Sequence, residues 1–199
     1  NESERDKLTG LFNRRTFDAK LSRMLEQQQR RKVEHAKLKG LAERRQIVPG
    51  AVAWLVVMDI DFFKKVNDTF GHVYGDEVIL LLSQKMKSFF RNSDLLFRFG
   101  GEEFIIVLEP MPKEMAAKAL NRYRESVAKH MFPQIGGVTI SMGFSEIDEK
   151  DYPPAVIDRA DKALYYAKEH GRNCVHNYED LVEGQLLTEE DRSGSVDLF

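Results

Sequence analysis

Two adjacent carboxylates, Glu102 and Glu103, follow the glycine pair Gly100–Gly101, with the apolar runs Leu95–Phe99 and Phe104–Leu108 on either side. Glycine supplies the positive φ that tight turns require, so the stretch reads as a β-hairpin with acids at its tip. Neighbouring strand residues face opposite ways, which gives the two glutamates different roles. A third acid, Asp59, lies at the exit of the apolar run Ala51–Ile60. If that run pairs beside the hairpin, Asp59 and Glu102 meet at one end of a sheet. Mg²⁺ takes hard oxygen ligands, typically one or two protein carboxylates, and leaves the remaining positions to water and phosphate. The pair therefore suits a nucleotide–metal site. A solvated turn, with the acids kept apart by repulsion, is the alternative that spacing alone leaves open.

The elements that must position these acids follow from periodicity. Ala51–Ile60 is almost unbroken in its apolar character and rich in Val, the pattern of a central strand buried on both faces. Upstream, a turn at Thr9–Gly10 leads into a helix carrying Phe17, Leu21, Met24 and Leu25 at helical spacing. The stretch at about residues 27–48 is strongly basic with only a weak apolar face, and reads as a solvated helical extension stopped by Pro49–Gly50. Phe62–Asp68 opens a short helix closed at Gly71–His72, and Tyr74–Phe90 forms a longer one with Val78, Leu81, Leu82, Met86 and Phe89 inward. Lys113–His130 predicts a further helix with Met115, Ala119, Tyr123 and Val127 on its apolar side. Val138–Ile147 alternates as a strand. Pro153–Pro154 opens a last helix to about Glu169, Gly171 ends it, and an edge strand follows near Cys174–Tyr178.

That order predicts an α+β domain, a mainly antiparallel central sheet flanked by helices. Its expected span is residues 6–180, with residues 1–5 a linker from a missing N-terminal region and residues 181–199 a polar, disordered tail. The chain begins with Asn1 rather than Met, as expected for a piece of a longer protein. A net charge of −2 gives no basic field for nucleic acid, and no partner of that kind is expected. One cysteine, Cys174, excludes an internal disulfide and fits a reducing, cytoplasmic setting. No run is long enough to span a membrane, so no membrane contact is expected within this fragment.

In order along the chain, Asp6–Arg15, Asp59–Asp68, Gly71–Asp76, Arg98–Phe104 and Ala167–Asn173 resemble the successive motifs of the GGDEF diguanylate cyclases. The resemblance runs from about residue 6 to 178, and several ordered motifs are far more specific than one hairpin. It implies a catalytic domain similar to the palm of polymerases and adenylyl cyclases, which condenses two GTP into cyclic di-GMP and releases two pyrophosphates.

The resemblance also implies roles. Asp59, Glu102 and the main-chain carbonyl of Ile60 would hold two Mg²⁺ per half-site, with Mn²⁺ as the alternative ion, and Glu103 would help deprotonate the ribose 3′-hydroxyl. Asn67 and Asp76 would read guanine, because a carboxylate accepts from both N1–H and the 2-amino group and adenine offers neither donor there. Main-chain N–H groups at Phe62 and Phe63 suit the β- and γ-phosphates. His72 belongs to the same substrate site, Lys64, Lys168 and Arg172 add positive charge, and Gly100 and Gly101 admit the nucleotide close to the backbone. Arg91 and Asp94 resemble the family's Arg-x-x-Asp product-inhibition motif, with Arg122 as a second guanidinium and Arg124 as the fallback. Because each domain holds one GTP, catalysis would need a homodimer. Glu102 stands where the family name has Asp, and the basic stretch at about 27–48 is longer than the family usually carries. Two rival readings are a catalytically silent cyclic di-GMP receptor and a GTP-binding module without turnover; the intact acids argue against the first.

Overall fold

The computed structural model describes residues 2–39 and 51–187. Its elements in chain order are β1 (Phe12–Asn13), α1 (Phe17–Lys39), β2 (Val52–Ile60), α2 (Phe63–Phe70), α3 (His72–Phe89), β3 (Leu95–Gly100), β4 (Glu103–Met111), α4 (Lys113–Lys129), β5 (Met131–Phe132), β6 (Gly136–Gly137), β7 (Ile140–Ile147), α5 (Pro153–Glu169), β8 (Val175–Asn177) and α6 (Tyr178–Glu183). Six strands form one sheet in the order β1-β3-β4-β2-β7-β8, and β5 and β6 form a separate small ribbon. β2 lies between β4 and β7 and runs antiparallel to both, as β3 does to β4. The two edge pairings, β1 with β3 and β7 with β8, are parallel. The expected α+β architecture and mainly antiparallel sheet are what the chain forms.

The period of two along β2 divides the core. Trp54, Val56, Met58 and Ile60 pack on one face against residues of α2, α3 and α4 such as Phe63, Val78, Leu82 and Leu120. Ala53, Leu55 and Val57 pack on the other face with Phe17 and Leu21 of α1 and Ala160 and Leu164 of α5. Burial on both faces explains the unbroken apolar run. It also determines where the next odd-numbered residue points: Asp59 shares the α5 side. The approach of α5 to β7 is set by Gly143, where a Cβ would lie 2.2 Å from both the Ala160 carbonyl oxygen and the Leu164 nitrogen.

Several expectations need correction. On α4 the buried residues are Ala116, Leu120, Tyr123 and Val127, whereas Met115 is half exposed, so the apolar face is turned by one residue at its start. Residues 2–5, expected as linker, fold back on the domain: Arg5 donates to the Gly10 carbonyl at 2.9 Å and stacks on Phe12, and Asn13 donates to the Ser3 carbonyl at 2.9 Å. Residues 181–187, expected as part of the tail, belong to the folded domain, because Leu181 and Leu187 are buried beside Ala163; the rest of the expected tail lies outside the described residues. The basic extension is largely solvent-exposed as far as Leu38, with ion pairs from Arg31 to Glu109 and from Lys32 to Glu149; its C-terminal part and the Pro49–Gly50 stop lie outside the described residues.

Candidate active site

The register of β2 and β4 sets Asp59 directly across from Glu103. Both project to the α5 side, where the ammonium of Lys168 contacts Asp59 Oδ2. Burial raises the Asp59 carboxyl to about 6 despite that ammonium, and nearby Glu102 and Asp61 push the same way. Burial likewise raises Glu103 to about 7, with repulsion from Asp59 and Asp161 adding to it. Asp59 Oδ1 and Glu103 Oε1 are both buried without a hydrogen-bond partner. One lysine thus faces several acids in a partly dehydrated place. A site in that condition favours either bound protons or an added cation.

Glu102 sits at the hairpin tip, half-buried, next to Gly101, whose φ of 46° favours glycine. The tip is braced from below. Arg98 Nε and Nη2 donate to the Gly101 carbonyl at 3.2 and 3.0 Å, and its Nη1 donates to Asp6. Asp6 also accepts from the main-chain N–H and hydroxyl of Thr9 at 2.8 and 2.7 Å. Burial would raise the Asp6 carboxyl, but the Thr9 bonds and the Arg98 charge outweigh it and hold the group low. The opening motif therefore acts as the hairpin's foundation.

At the exit of β2, Phe62 adopts a left-handed φ of 56° as the residue before α2, a conformation a bulky side chain holds only under constraint. Phe63 is buried in the core and Lys64 is exposed. Asn67, further along α2, has an Oδ1 that is buried without a partner. Gly75 makes room for it, since a Cβ there would lie 1.9 Å from that oxygen. Asp76 and His72 stand exposed on the first turns of α3. The unpaired Asn67 oxygen on α2 lies against the first turns of α3, from which the Asp76 carboxylate stands out to solvent.

The last component is the turn after α5. Gly171, Arg172 and Asn173 all have positive φ, 104°, 56° and 44°. The Arg172 guanidinium lies over the Phe62 ring at 4.5 Å. Asp61, whose side chain is fully buried, accepts from the hydroxyls of Thr139 at 2.7 Å and Ser141 at 2.6 Å and from the Asn173 main-chain N–H at 3.0 Å. Phosphate-binding candidates from two distant segments, Phe62 and Arg172, thereby share one corner with Lys168.

A sequence profile described as "Diguanylate cyclase, GGDEF domain" matches residues 31–174. This chain belongs to the GGDEF domain family. It is 36% identical over 176 residues to the response regulator PleD of Caulobacter vibrioides, covering 85% of this chain and 35% of that protein. The crystal structure of the GGDEF domain of DgcB from Caulobacter crescentus in complex with c-di-GMP superposes with a TM-score of 0.73 at 31% identity, covering 90% of this chain and 98% of that one. The structure of the active GGEEF domain of a diguanylate cyclase from Vibrio cholerae superposes with a TM-score of 0.60 at 34% identity, covering 72% and 88%. The chain spans about a third of the length of the curated relative PleD.

Diguanylate cyclases of this family generally need a divalent metal. The residues present fit one: Asp59 keeps an unpartnered oxygen and Glu102 is near enough to repel its charge, with the unpartnered oxygen of Glu103 adding to the excess of negative charge. No group of three or more His, Cys, Asp or Glu among the described residues is placed to hold a metal by itself. An ion in this GGDEF domain would complete its shell with water and phosphate.

Away from the carboxylates, Arg91, Asp94 and Arg122 line one cavity of about 270 Å³ together with Phe89, Met115 and Lys118. Asp94 Oδ2 accepts from the Arg91 main-chain N–H at 2.9 Å and Oδ1 from that of Glu109 at 2.9 Å. Asp94 thus shapes the turn that presents Arg91. Arg124, the fallback, points elsewhere and donates to Asn173. Sequence reasoning missed Asp6, Arg98, Asp61, Gly75 and Asn173 as site-builders. All five lie within the motifs that carry the resemblance, and Asp6, Arg98 and Asp61 are charges there without an assigned role, which was the available signal.

Proposed function

We propose that this GGDEF domain condenses two GTP molecules into cyclic di-GMP and releases two pyrophosphates, at a site completed by a second copy of the domain. The observation that carries the reading is the facing pair Asp59 and Glu103, dehydrated, sharing Lys168, and capped by Glu102 at the hairpin tip. A silent receptor has no use for such a cluster, whose charges cost stability.

In this reading Asp76 and Asn67 accept from and orient guanine, while the 2-amino group and N1–H select it over adenine. Lys168, Arg172 and the main-chain N–H groups at Phe62 and Phe63 hold the triphosphate, and Lys64 adds charge at the rim. Asp59, Glu102 and the Ile60 carbonyl would hold two Mg²⁺, or Mn²⁺ in their place, which supply charge stabilisation to the reacting oxygens. Glu103 takes the proton of the ribose 3′-hydroxyl. The freed oxygen attacks the α-phosphorus of the GTP on the partner domain, an O–P bond forms, and the bond to pyrophosphate breaks. Two such displacements close the ring. A carboxylate raised to about 7 is matched to accepting a proton near neutral pH. Product feedback acts through Arg91, Asp94 and Arg122, where a guanidinium fork meets guanine N7/O6 or phosphate.

Chromatographic assay of the purified chain with GTP and Mg²⁺ across protein concentrations tests this. Cyclic di-GMP formed with a steeper than linear concentration dependence is expected, and Asp59→Ala or Glu102→Ala should lower turnover at least about 10³-fold with the fold retained. Unchanged turnover in either variant would remove the carboxylate site.

A further inference from the structure

The turn that carries Arg172 does not hold itself. Three successive positive φ values, two of them at non-glycine residues, describe a backbone that neighbouring contacts must impose. Two contacts are internal to the sheet and α5: Asp61 receives the Asn173 N–H, and the Arg172 N–H reaches the Ala167 carbonyl at 3.0 Å. The third comes from a distant element. Arg124 of α4 donates through Nη1 to Asn173 Oδ1 at 2.9 Å, across 49 residues of sequence.

The Arg124 guanidinium is itself fixed. Its Nε donates to Asn121 Oδ1 at 3.1 Å, Asn121 in turn donates to the Ala117 carbonyl at 3.1 Å, and Nη2 lies 3.7 Å from Glu125. Its side chain is only 17% exposed, unlike that of a solvated surface arginine. A planar fork held on one edge by its own helix presents the other edge rigidly, which a lysine does less well. What it grips is the side chain next to Arg172, whose guanidinium is in turn laid over Phe62 with Nη1 3.9 Å from Asp61 Oδ1, the same carboxylate that receives the Asn173 N–H.

We propose that Arg124 is a positioning residue for the nucleotide: by holding Asn173 it keeps the Gly171–Asn173 turn, and with it Arg172, aimed at the triphosphate. The inference rests on the reading of Arg172 as a phosphate ligand. Arg124 touches no substrate atom in this scheme and acts through the turn.

Calorimetric titration with Mg²⁺ and a GTP analogue that cannot react reads the effect without turnover. R124A is expected to weaken binding about tenfold, as loss of an outer supporting contact commonly does. N173G, which deletes the amide while suiting the left-handed backbone, should weaken it similarly, and the double variant should be no weaker than either single one. R124K should recover part of the loss, whereas E125A, which removes the flanking acid but not the bond to Asn173, should bind as wild type does. Wild-type affinity in R124A, additive losses in the double variant, or an equal loss in E125A would each overturn the proposal. R172A separates the two claims. If R172A binds as tightly as wild type, the phosphate role of Arg172 falls and this inference with it; if R172A is weakened while R124A is not, only this inference falls.

Discussion

Glu103 and Asp59 are acids made reluctant to ionise by burial and by each other, and the consequence is measurable without any substrate. In the unfolded chain both ionise near their ordinary values, whereas in the fold Glu103 keeps its proton to about 7 and Asp59 to about 6. Between those limits the folded state binds more protons than the unfolded one, so stability falls as pH rises through roughly 4–7. Glu103→Gln removes one such charge. Allowing for its partial exposure, the variant should gain about 1–2 kcal/mol over wild type at pH 8 and nothing at pH 4, while losing turnover. Thermal melting against pH in metal-free buffer checks this, and parallel curves for the two proteins would refute it. The acids themselves were legible only in company: a Gly-Gly-Glu-Glu turn alone also suits a solvated loop, and it was the several ordered motifs at compatible spacing that marked them as a site. Asp61 was not. Two residues from Asp59 and of the same charge, it spends its side chain on Thr139, Ser141 and Asn173, with the Arg172 guanidinium 3.9 Å away. Only three-dimensional neighbours distinguish a ligand from a brace.

At the scale of elements, the unbroken apolar run of β2 predicted its two-sided burial, and the glycine pair predicted the hairpin. Helix phase was harder. On α4 the pattern puts Met115 and Ala119 inward with Tyr123 and Val127, whereas Ala116 and Leu120 are the residues buried with that pair. Gly143 shows the same limit: in sequence it is one small residue in a strand, but in the fold it is where α5 lies against β7. Gly143→Ala should cost about 3 kcal/mol, roughly 10 °C in Tm, because backbone rather than a flexible side chain stands within 2.2 Å of the added methyl. A denaturant or thermal melt measures it, and a loss below 1 kcal/mol would mean that α5 slides aside easily. Since Lys168 and Arg172 lie at or just after the end of α5, such sliding would also displace them from Asp59 and Phe62.

For the molecule as a whole, the proposed chemistry needs two copies facing each other, and feedback needs a surface remote from the acids. The cavity of Arg91, Asp94 and Arg122 is the surface proposed for it. Arg91→Ala should weaken cyclic di-GMP binding at least about tenfold and move the inhibition curve to higher product concentration, because a guanidinium fork to guanine or phosphate is lost. An inhibition curve matching wild type would show that product is read elsewhere. No helix among the described residues is long and apolar enough to cross a membrane.

By itself the sequence determined the family, the element order, the central strand, the acid-tipped hairpin and the residue types at the site, since each depends on local periodicity or on a motif whose spacing is written in the chain. Tertiary structure alone decided that Asp59 faces Glu103, that Asp6 and Arg98 brace the hairpin, that Arg122 shares a cavity with Arg91 and Asp94, and that Arg124 reaches the Gly171–Asn173 turn. Those are contacts between segments tens of residues apart. Strand register and helix rotation set them, and neither is a property of any one stretch of sequence.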